Sequence, residues 1–219
     1  MERVATMQEE AKGPLAKGLR EMGLDLSATQ QESLLAYLAL LQKWNQAFNL
    51  SGVRDPGEML SRHLLDSLTL LPRLSGQRLL DVGTGPGIPG IPLAICRPDM
   101  AFDLLDSNGK KTRFVFQAAL QLGLANVKVH QLRVEQFQPG STPDMIVCRA
   151  FSSLRDLLEL TRHLAQPGHT RILAMKGLYP EAELAELPAD VALVRAEQVF
   201  VPGDTAERHL IELNFKVTE

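Results

Sequence analysis

The chain has 219 residues, 45% of them hydrophobic and 22% charged, with a formal net charge of −3. A chain of this length can bury roughly 70% of its unfolded surface, so no disulfide or metal is needed as a staple. The charge balance does not advertise a nucleic-acid binder. No apolar run approaches a membrane span or, within Met1 to Gly13, a signal peptide.

Cys96 and Cys148 sit far apart in apolar stretches and match no zinc or redox spacing. They are expected as small core residues in a reducing compartment, and a cytoplasmic location is the corresponding expectation. Charge is unevenly placed: residues 105–176 hold 10 basic and 5 acidic side chains, and residues 177–219 hold 3 basic and 9 acidic. A basic middle is compatible with a local phosphate-binding face and equally with scatter over a solvated surface.

In chain order, helical periodicity comes first. Ser27-Ala28-Thr29-Gln30 has the form of a capping box. Leu34, Leu38, Leu41, Asn45 and Phe48 follow at spacings of three and four, widened by Leu35 and Trp44, and predict a helix to about Asn49. Asp55-Pro56 predicts a second start, with an apolar face through Met59, Leu60, Leu64, Leu65 and Leu68 as far as Pro72. Strands then alternate with helices. Strands are predicted over 78–82, 101–105, 127–130, 145–148 and 171–175, and helices through 93–95, 112–122 and 154–163. Residues 191–201 and 209–217 alternate well enough to close the sheet as an antiparallel pair. The expected architecture is α/β: an N-terminal helical extension, 1–75, and a Rossmann-like domain, 76–219, whose mostly parallel seven-stranded sheet carries helices on both faces.

Between the first strand and the next helix lies Asp81-Val82-Gly83-Thr84-Gly85-Pro86-Gly87-Ile88-Pro89-Gly90. A strand, a glycine-rich turn and a helix bring backbone amides against a ligand at the carboxyl edge of a sheet. Gly85-x-Gly87-x-x-Gly90 formally matches the dinucleotide fingerprint, which alone says little. The carboxylate of Asp81, two residues before the first glycine, suits a ligand with an ammonium and a sulfonium and would oppose a pyrophosphate. Asp106 ends the second strand, where it can accept hydrogen bonds from two ribose hydroxyls. Tyr37 and Tyr179 are the only tyrosines and neither has a lysine four residues on, so a hydride-transfer pair is missing. These features favour S-adenosylmethionine over a nicotinamide dinucleotide.

The run Leu80-Asp81-Val82-Gly83-Thr84-Gly85-Pro86-Gly87-Ile88-Pro89-Gly90-Ile91-Pro92 closely resembles that of the bacterial RsmG (GidB) methyltransferases. Further matches are Trp44-Asn45, Asn49-Leu50, Arg62-His63-Leu64-Leu65-Asp66-Ser67, Leu105-Asp106-Ser107, Arg133-Val134-Glu135, Arg149-Ala150-Phe151, Lys176-Gly177 and Arg208-His209-Leu210. The resemblance implies a class I S-adenosylmethionine-dependent methyltransferase that modifies N7 of a guanine in 16S rRNA, near the decoding site of the small ribosomal subunit. It also implies that Gly83 and Ile88, in the loop that includes Gly85, line the methionine part of the cofactor site. Val134 and Glu135 would hold the adenine, and Arg149 would close the site. Backbone amides are expected to make the polar contacts at Ile88 and Val134. The region 11–26 matches least well and carries no functional expectation.

Guanine N7 has an in-plane lone pair and no proton to lose, so no strong general base is required and no catalytic dyad or triad is evident. Rate is expected from alignment and proximity, for which intramolecular analogues give roughly 7–11 kcal/mol. N7 faces the deep, narrow groove of A-form RNA, so the target base must be unpaired or turned out. Substrate contacts are expected from Arg149, Lys176 and Arg208 near strand ends, and from Lys110, for which a solvated helix face is an equal reading. The histidines form no pair at metal-ligand spacing, and no metal is expected. Trp44 is expected as a core anchor, and a monomer is the expectation from size. Other readings are a methyltransferase of small molecules or proteins, a non-catalytic cofactor-binding RNA chaperone or sensor, and a nicotinamide-dependent oxidoreductase.

Overall fold

The computed structural model describes residues 2–149 and 153–217, with side chains from Glu9 onward. Ala150 and Phe151, quoted above in a family match, lie outside the described residues.

Helix α1, Glu2–Glu21, is not foreseen above, because Gly13, Pro14 and Gly18 interrupt its periodicity. Its Leu15 and Leu19 are nevertheless buried. A Cβ at Gly18 would lie 2.7 Å from Leu65 Cδ1, so the glycine is what lets this helix approach its neighbour. Helix α2, Ala28–Phe48, begins at the expected capping box: Gln30 N–H donates to Ser27 Oγ (3.2 Å) and Ser27 N–H to Gln30 Oε1 (3.0 Å). It ends at Asn49 in the left-handed conformation (φ 51). Leu34, Leu35, Leu38, Leu41 and Asn45 are its buried face, while Phe48, at the end of the predicted stripe, is half exposed. Trp44 packs between Phe48 and Phe114, with ring centroids 5.3 and 5.6 Å away, as an anchor between helices.

Asp55 caps the next helix by accepting the Glu58 N–H (2.9 Å). The segment is not one regular helix as predicted. Helix α3, Pro56–Met59, passes into a π-helical stretch, Leu60–Leu65, then into α4, Asp66–Leu68, and a 3-10 turn, Leu71–Arg73. A π stretch shifts the helix faces relative to each other and is frequent at functional sites.

Strands β1 (Arg78–Val82), β2 (Ala101–Asp106), β3 (Val127–Gln131), β4 (Met145–Arg149), β5 (Arg171–Lys176), β6 (Val191–Gln198) and β7 (His209–Phe215) form one sheet in the order β3-β2-β1-β4-β5-β7-β6. Strands β1 to β5 pair in parallel, and β7 runs antiparallel to both β5 and β6. Each of β2 to β5 runs one residue beyond its predicted end. The added residues Asp106, Gln131, Arg149 and Lys176 are polar but remain in the ladder, as the pairings Asp106↔Gln131, Arg149↔Met175 and Lys176↔His209 show. The carboxyl edge is thereby lined with functional groups on a rigid support.

Helices α5 (Gly90–Cys96), α6 (Gly109–Gln121) and α7 (Leu154–Thr161) follow the strands as expected, and a short α8 (Glu181–Ala185) was not foreseen. Alternate residues of β1 and β4 enter two different hydrophobic clusters: Leu79, Met145 and Val147 one, Leu80, Ile146 and Cys148 the other. Period-two alternation places those clusters on opposite faces of the sheet. The first also holds Leu15, Leu34, Leu38 and Leu64, so the N-terminal helices share the core of one sheet face. Cys96 and Cys148 are both buried, as expected of small core residues, and burial pushes the Cys96 thiol up to about 12. No helix among the described residues is long and apolar enough to cross a membrane.

Candidate active site

Strand β1 lies between β2 and β4, so the strand order reverses there and a crevice opens beyond the carboxyl ends. The loop leaving β1 needs its glycines: Gly83, Gly85 and Gly87 have φ of 70, 60 and 90, a region that side chains disfavour. Asp81 locks this loop. Its Oδ2 accepts the Thr84 hydroxyl (2.6 Å) and the Gly90 N–H (2.9 Å), and the residue is fully buried. Burial pushes its carboxyl up to about 6, against the pull of those two hydrogen bonds. The sequence suggested a carboxylate standing before the ligand. Half of it instead shapes the loop, while Oδ1 has no partner among the described residues.

Gly83 N–H donates to the Leu105 carbonyl (2.8 Å) and Gly85 N–H to Asp106 Oδ2 (2.9 Å), which stitches the loop onto β2. Ile88 departs from expectation. Its side chain is 2% exposed within the apolar core and its N–H donates to the Thr84 carbonyl (2.9 Å). Ile88 thus closes the turn from beneath and has no free amide to offer.

A cavity of about 310 Å³ lies beside this loop, lined by Val82, Gly83, Leu105, Asp106, Val134 and Glu135 among others. It brings together four of the residues proposed from sequence, with Gly85 behind Asp106. Asp106 Oδ1 accepts the Asn108 N–H (2.8 Å), and each carboxylate oxygen, having two lone pairs, keeps acceptor capacity toward the cavity. The 3-10 turn Val134–Gln136 begins at the cavity wall, where the first N–H groups of a helical turn have no partner within it. The Asp106 carboxylate and the amide donors beside an apolar wall fit the ribose and adenine parts of S-adenosylmethionine.

A second cavity of about 270 Å³ is lined by Arg62, His63, Asp66, Arg149, Lys176 and Arg208, together with Val53, Met175 and Gly177. Because Val82 pairs with Cys148, Arg149 stands next to the end of β1, and the two cavities flank the β1–β4 seam. Asp66 is the hub, 2% exposed. Its Oδ2 accepts Arg149 Nη1–H (3.1 Å) and its Oδ1 accepts Arg208 Nε–H (3.2 Å). Arg149 also donates to the Arg62 carbonyl (2.8 Å) in the π stretch. Arg208 donates to Asp204 Oδ2 (2.7 Å), which Arg62 Nε approaches to 3.6 Å. Lys176 is held by both oxygens of Glu183 (2.9 and 3.0 Å). Burial pushes the Asp66 carboxyl up, and the two arginines pull it back.

Arg149, Lys176 and Arg208 therefore converge as proposed, while Lys110 does not. It lies on the exposed first turn of α6, where Asn108 Oδ1 accepts its N–H (3.0 Å), outside both cavities. Asp66 was missed as a site residue. Its signal was a carboxylate inside the apolar stripe Leu60–Leu68, which is hard to bury without cationic partners. His63 was also passed over. Its Nε2 lies 2.8 Å from Ser51 Oγ, and its buried Nδ1 has no partner among the described residues. Burial pushes the imidazole down to about 4, with the Arg149 cation acting in the same direction against the Arg62 carbonyl.

That shift gives a pH prediction. The folded-state value lies below the ordinary 6.5, so between pH 6.5 and 4 the unfolded chain binds the extra proton and acidification costs stability. Relative to His63→Gln, the wild type should lose ~3 kcal/mol across that window. Denaturant unfolding at pH 6.5 and 4 checks this, and a constant difference between the two proteins would refute it.

A family model described as GidB, rRNA small subunit methyltransferase G, matches residues 30–211. The ribosomal RNA small subunit methyltransferase G of Pseudomonas syringae pv. tomato is 54% identical over 199 residues, which cover 91% of this chain and 94% of that protein. The protein of the same name from Laribacter hongkongensis is 51% identical, covering 94% and 99%. Among solved structures, a SAM-dependent methyltransferase from Aquifex aeolicus superposes with a TM-score of 0.56 at 20% identity over 76% of this chain and 97% of that one. TrmK of M. capricolum, solved with S-adenosylhomocysteine, gives 0.52 at 13% identity over 71% and 69%. At such identities the two structures speak for the fold alone.

Proposed function

Since the chain belongs to the GidB family of rRNA small subunit methyltransferases, we propose that it transfers a methyl group from S-adenosylmethionine to N7 of a guanine in 16S rRNA, acting as a cytoplasmic monomer on the small ribosomal subunit or its RNA. One observation carries this reading: a cavity lined by the Asp106 carboxylate and a cavity lined by the cationic side chains of Arg62, Arg149, Lys176 and Arg208 lie on the two sides of the β1–β4 seam.

When bound, the cofactor supplies an electrophilic methyl group. Asp106 holds the ribose hydroxyls, the Val134–Gln136 turn and Glu135 border the adenine, and Gly83 lets the backbone come close. Arg149, Lys176 and Arg208 hold the nucleotide by its phosphate and carbonyl oxygens. Asp66 fixes the directions of two of those cations before the RNA arrives. Guanine N7 has no proton to surrender, which agrees with a cavity whose imidazole, His63, is held neutral and bonded to a serine rather than a carboxylate. Alignment between the two cavities is the source of rate.

The test is transfer of radiolabelled methyl to small subunits from cells lacking this modification, with the labelled base mapped. Label at a single guanine N7 is expected. Cofactor binding with no label in RNA would overturn the substrate and favour a small-molecule enzyme or a sensor.

A further inference from the structure

A third cavity, of about 310 Å³, is lined by Gln42, Asn45, Gln46, Arg54 and Met59. It shares a wall with the cationic cavity. Val53 lines the cationic side and Arg54, the next residue, lines the other. The wall is held from both sides. Asn45, 5% exposed, donates from Nδ2 to the Val53 carbonyl (3.0 Å) and accepts the Ser51 N–H at Oδ1 (2.7 Å). Ser51 Oγ accepts the Val53 N–H (3.1 Å) and meets His63 Nε2, which faces the cationic cavity.

The lining chemistry is specific. Gln42 and Gln46 stand one turn apart on the same face of α2, and neither spends its side-chain amide on a described residue. Arg54 donates once, to Asn49 Oδ1 (3.1 Å), and keeps further donors. Met59 offers a polarisable thioether that packs well against flat rings. None of the five residues carries a carboxylate, so nothing in the lining repels a polyanion. Carboxamides pair in bidentate fashion with base edges, and unstacked RNA bases are read on those edges. The volume lies at the lower end for ligand pockets, which suits a single base.

We propose that this cavity receives the base of a nucleotide adjacent to the methylated guanine, so that α2 and the 51–54 loop read the RNA context. The inference rests on the rRNA reading above. With the target nucleotide in the cationic cavity, the strand crosses the 51–54 wall, Arg54 meets its backbone, and Gln42 and Gln46 meet the flanking base. The N-terminal helices then contribute to substrate selection as well as covering the sheet.

The test compares the wild type with the double variant Gln42→Ala/Gln46→Ala on small subunits lacking the modification. Losing two hydrogen bonds should raise KM for subunits roughly tenfold. The value of kcat and the affinity for S-adenosylmethionine should stay within about twofold, since neither amide reaches the other two cavities. Subunits with a substituted base on either side of the target guanine should be poorer substrates for the wild type, and this penalty should shrink in the double variant. Unchanged KM, a loss confined to kcat or cofactor affinity, or an equal flanking-base penalty in both proteins overturns the proposal. A wild type that labels no RNA overturns the rRNA reading as well, which separates the two failures.

Discussion

Replacing Asp66 with alanine is expected to destabilise the fold and to cripple methyl transfer while sparing cofactor binding. The carboxylate is 2% exposed and accepts from both Arg149 and Arg208. Removing one partner from a buried ion pair typically costs about 3–5 kcal/mol, because the remaining charge is left without compensation. Side-chain exposures of 26% for Arg149 and 19% for Arg208 leave those cations partly hydrated, so the lower end, ~3 kcal/mol, is the better expectation. Two guanidiniums that lose their direction should cut kcat/KM for subunits by about 100-fold, as expected for misplacement near the reacting groups. The cavity beside the glycine loop, where the cofactor is proposed to bind, is lined from β1, β2 and the turn after β3, so S-adenosylmethionine affinity should change little. Denaturant unfolding and subunit kinetics together check this. A variant within about 1 kcal/mol of the wild type and with unchanged kcat/KM would show that the hub is dispensable.

Gly90→Ala is expected to have the opposite pattern, with cofactor binding lost first. A Cβ at Gly90 would overlap Leu104 Cδ2 and lie 2.7 Å from Asp81 Oδ2, the atom that accepts both the Gly90 N–H and the Thr84 hydroxyl. Either α5 moves away from β2 or the Asp81 side chain gives up its loop contacts. Overpacking of this kind costs about 1–3 kcal/mol, and a broken buried hydrogen bond adds about 1–3 more. Because the same hydrogen bonds shape the Gly83–Gly87 turn, affinity for S-adenosylmethionine should fall by about two orders of magnitude, equivalent to ~3 kcal/mol. Gly140→Ala serves as the control, since a Cβ there meets nothing within 4 Å. Calorimetric cofactor titration that cannot tell the two variants apart would sink the argument.

The local grammar of the chain was legible because it is written in contiguous residues. Ser27 and Gln30 formed the expected capping box, Asp55 capped at the expected place, and β1 has its predicted limits. The elements that were missed break those local rules. Gly13, Pro14 and Gly18 hid α1, whose burial is decided by Leu65 across the interface rather than by its own periodicity. The π stretch Leu60–Leu65 resembles an ordinary amphipathic helix in sequence, since one extra residue in a turn changes no composition. In the glycine loop, the motif was enough to expect Gly83 in a tight turn, and it lines the cavity beside β1. That Ile88 faces the core could not be expected from it, because the motif records which residues form a turn and not which side of it is buried.

By itself the sequence determined the class of fold, the glycine-rich turn after β1 and the carboxylate at the end of β2, because strand alternation, glycine spacing and a polar residue at a strand end are local signals with one structural solution. Only the tertiary structure decided how the cations are used. Arg62, Asp66, Arg149, Lys176 and Arg208 come from the π stretch, α4, the ends of β4 and β5, and the approach to β7, and they meet only when the sheet order brings β7 beside β5 and the N-terminal helices cover the edge. Lys110, equally basic, is left in solvent by the same packing. The physical reason is that charge and hydrogen-bonding capacity belong to the residue, whereas burial and the choice of partner belong to the neighbours that long-range packing supplies.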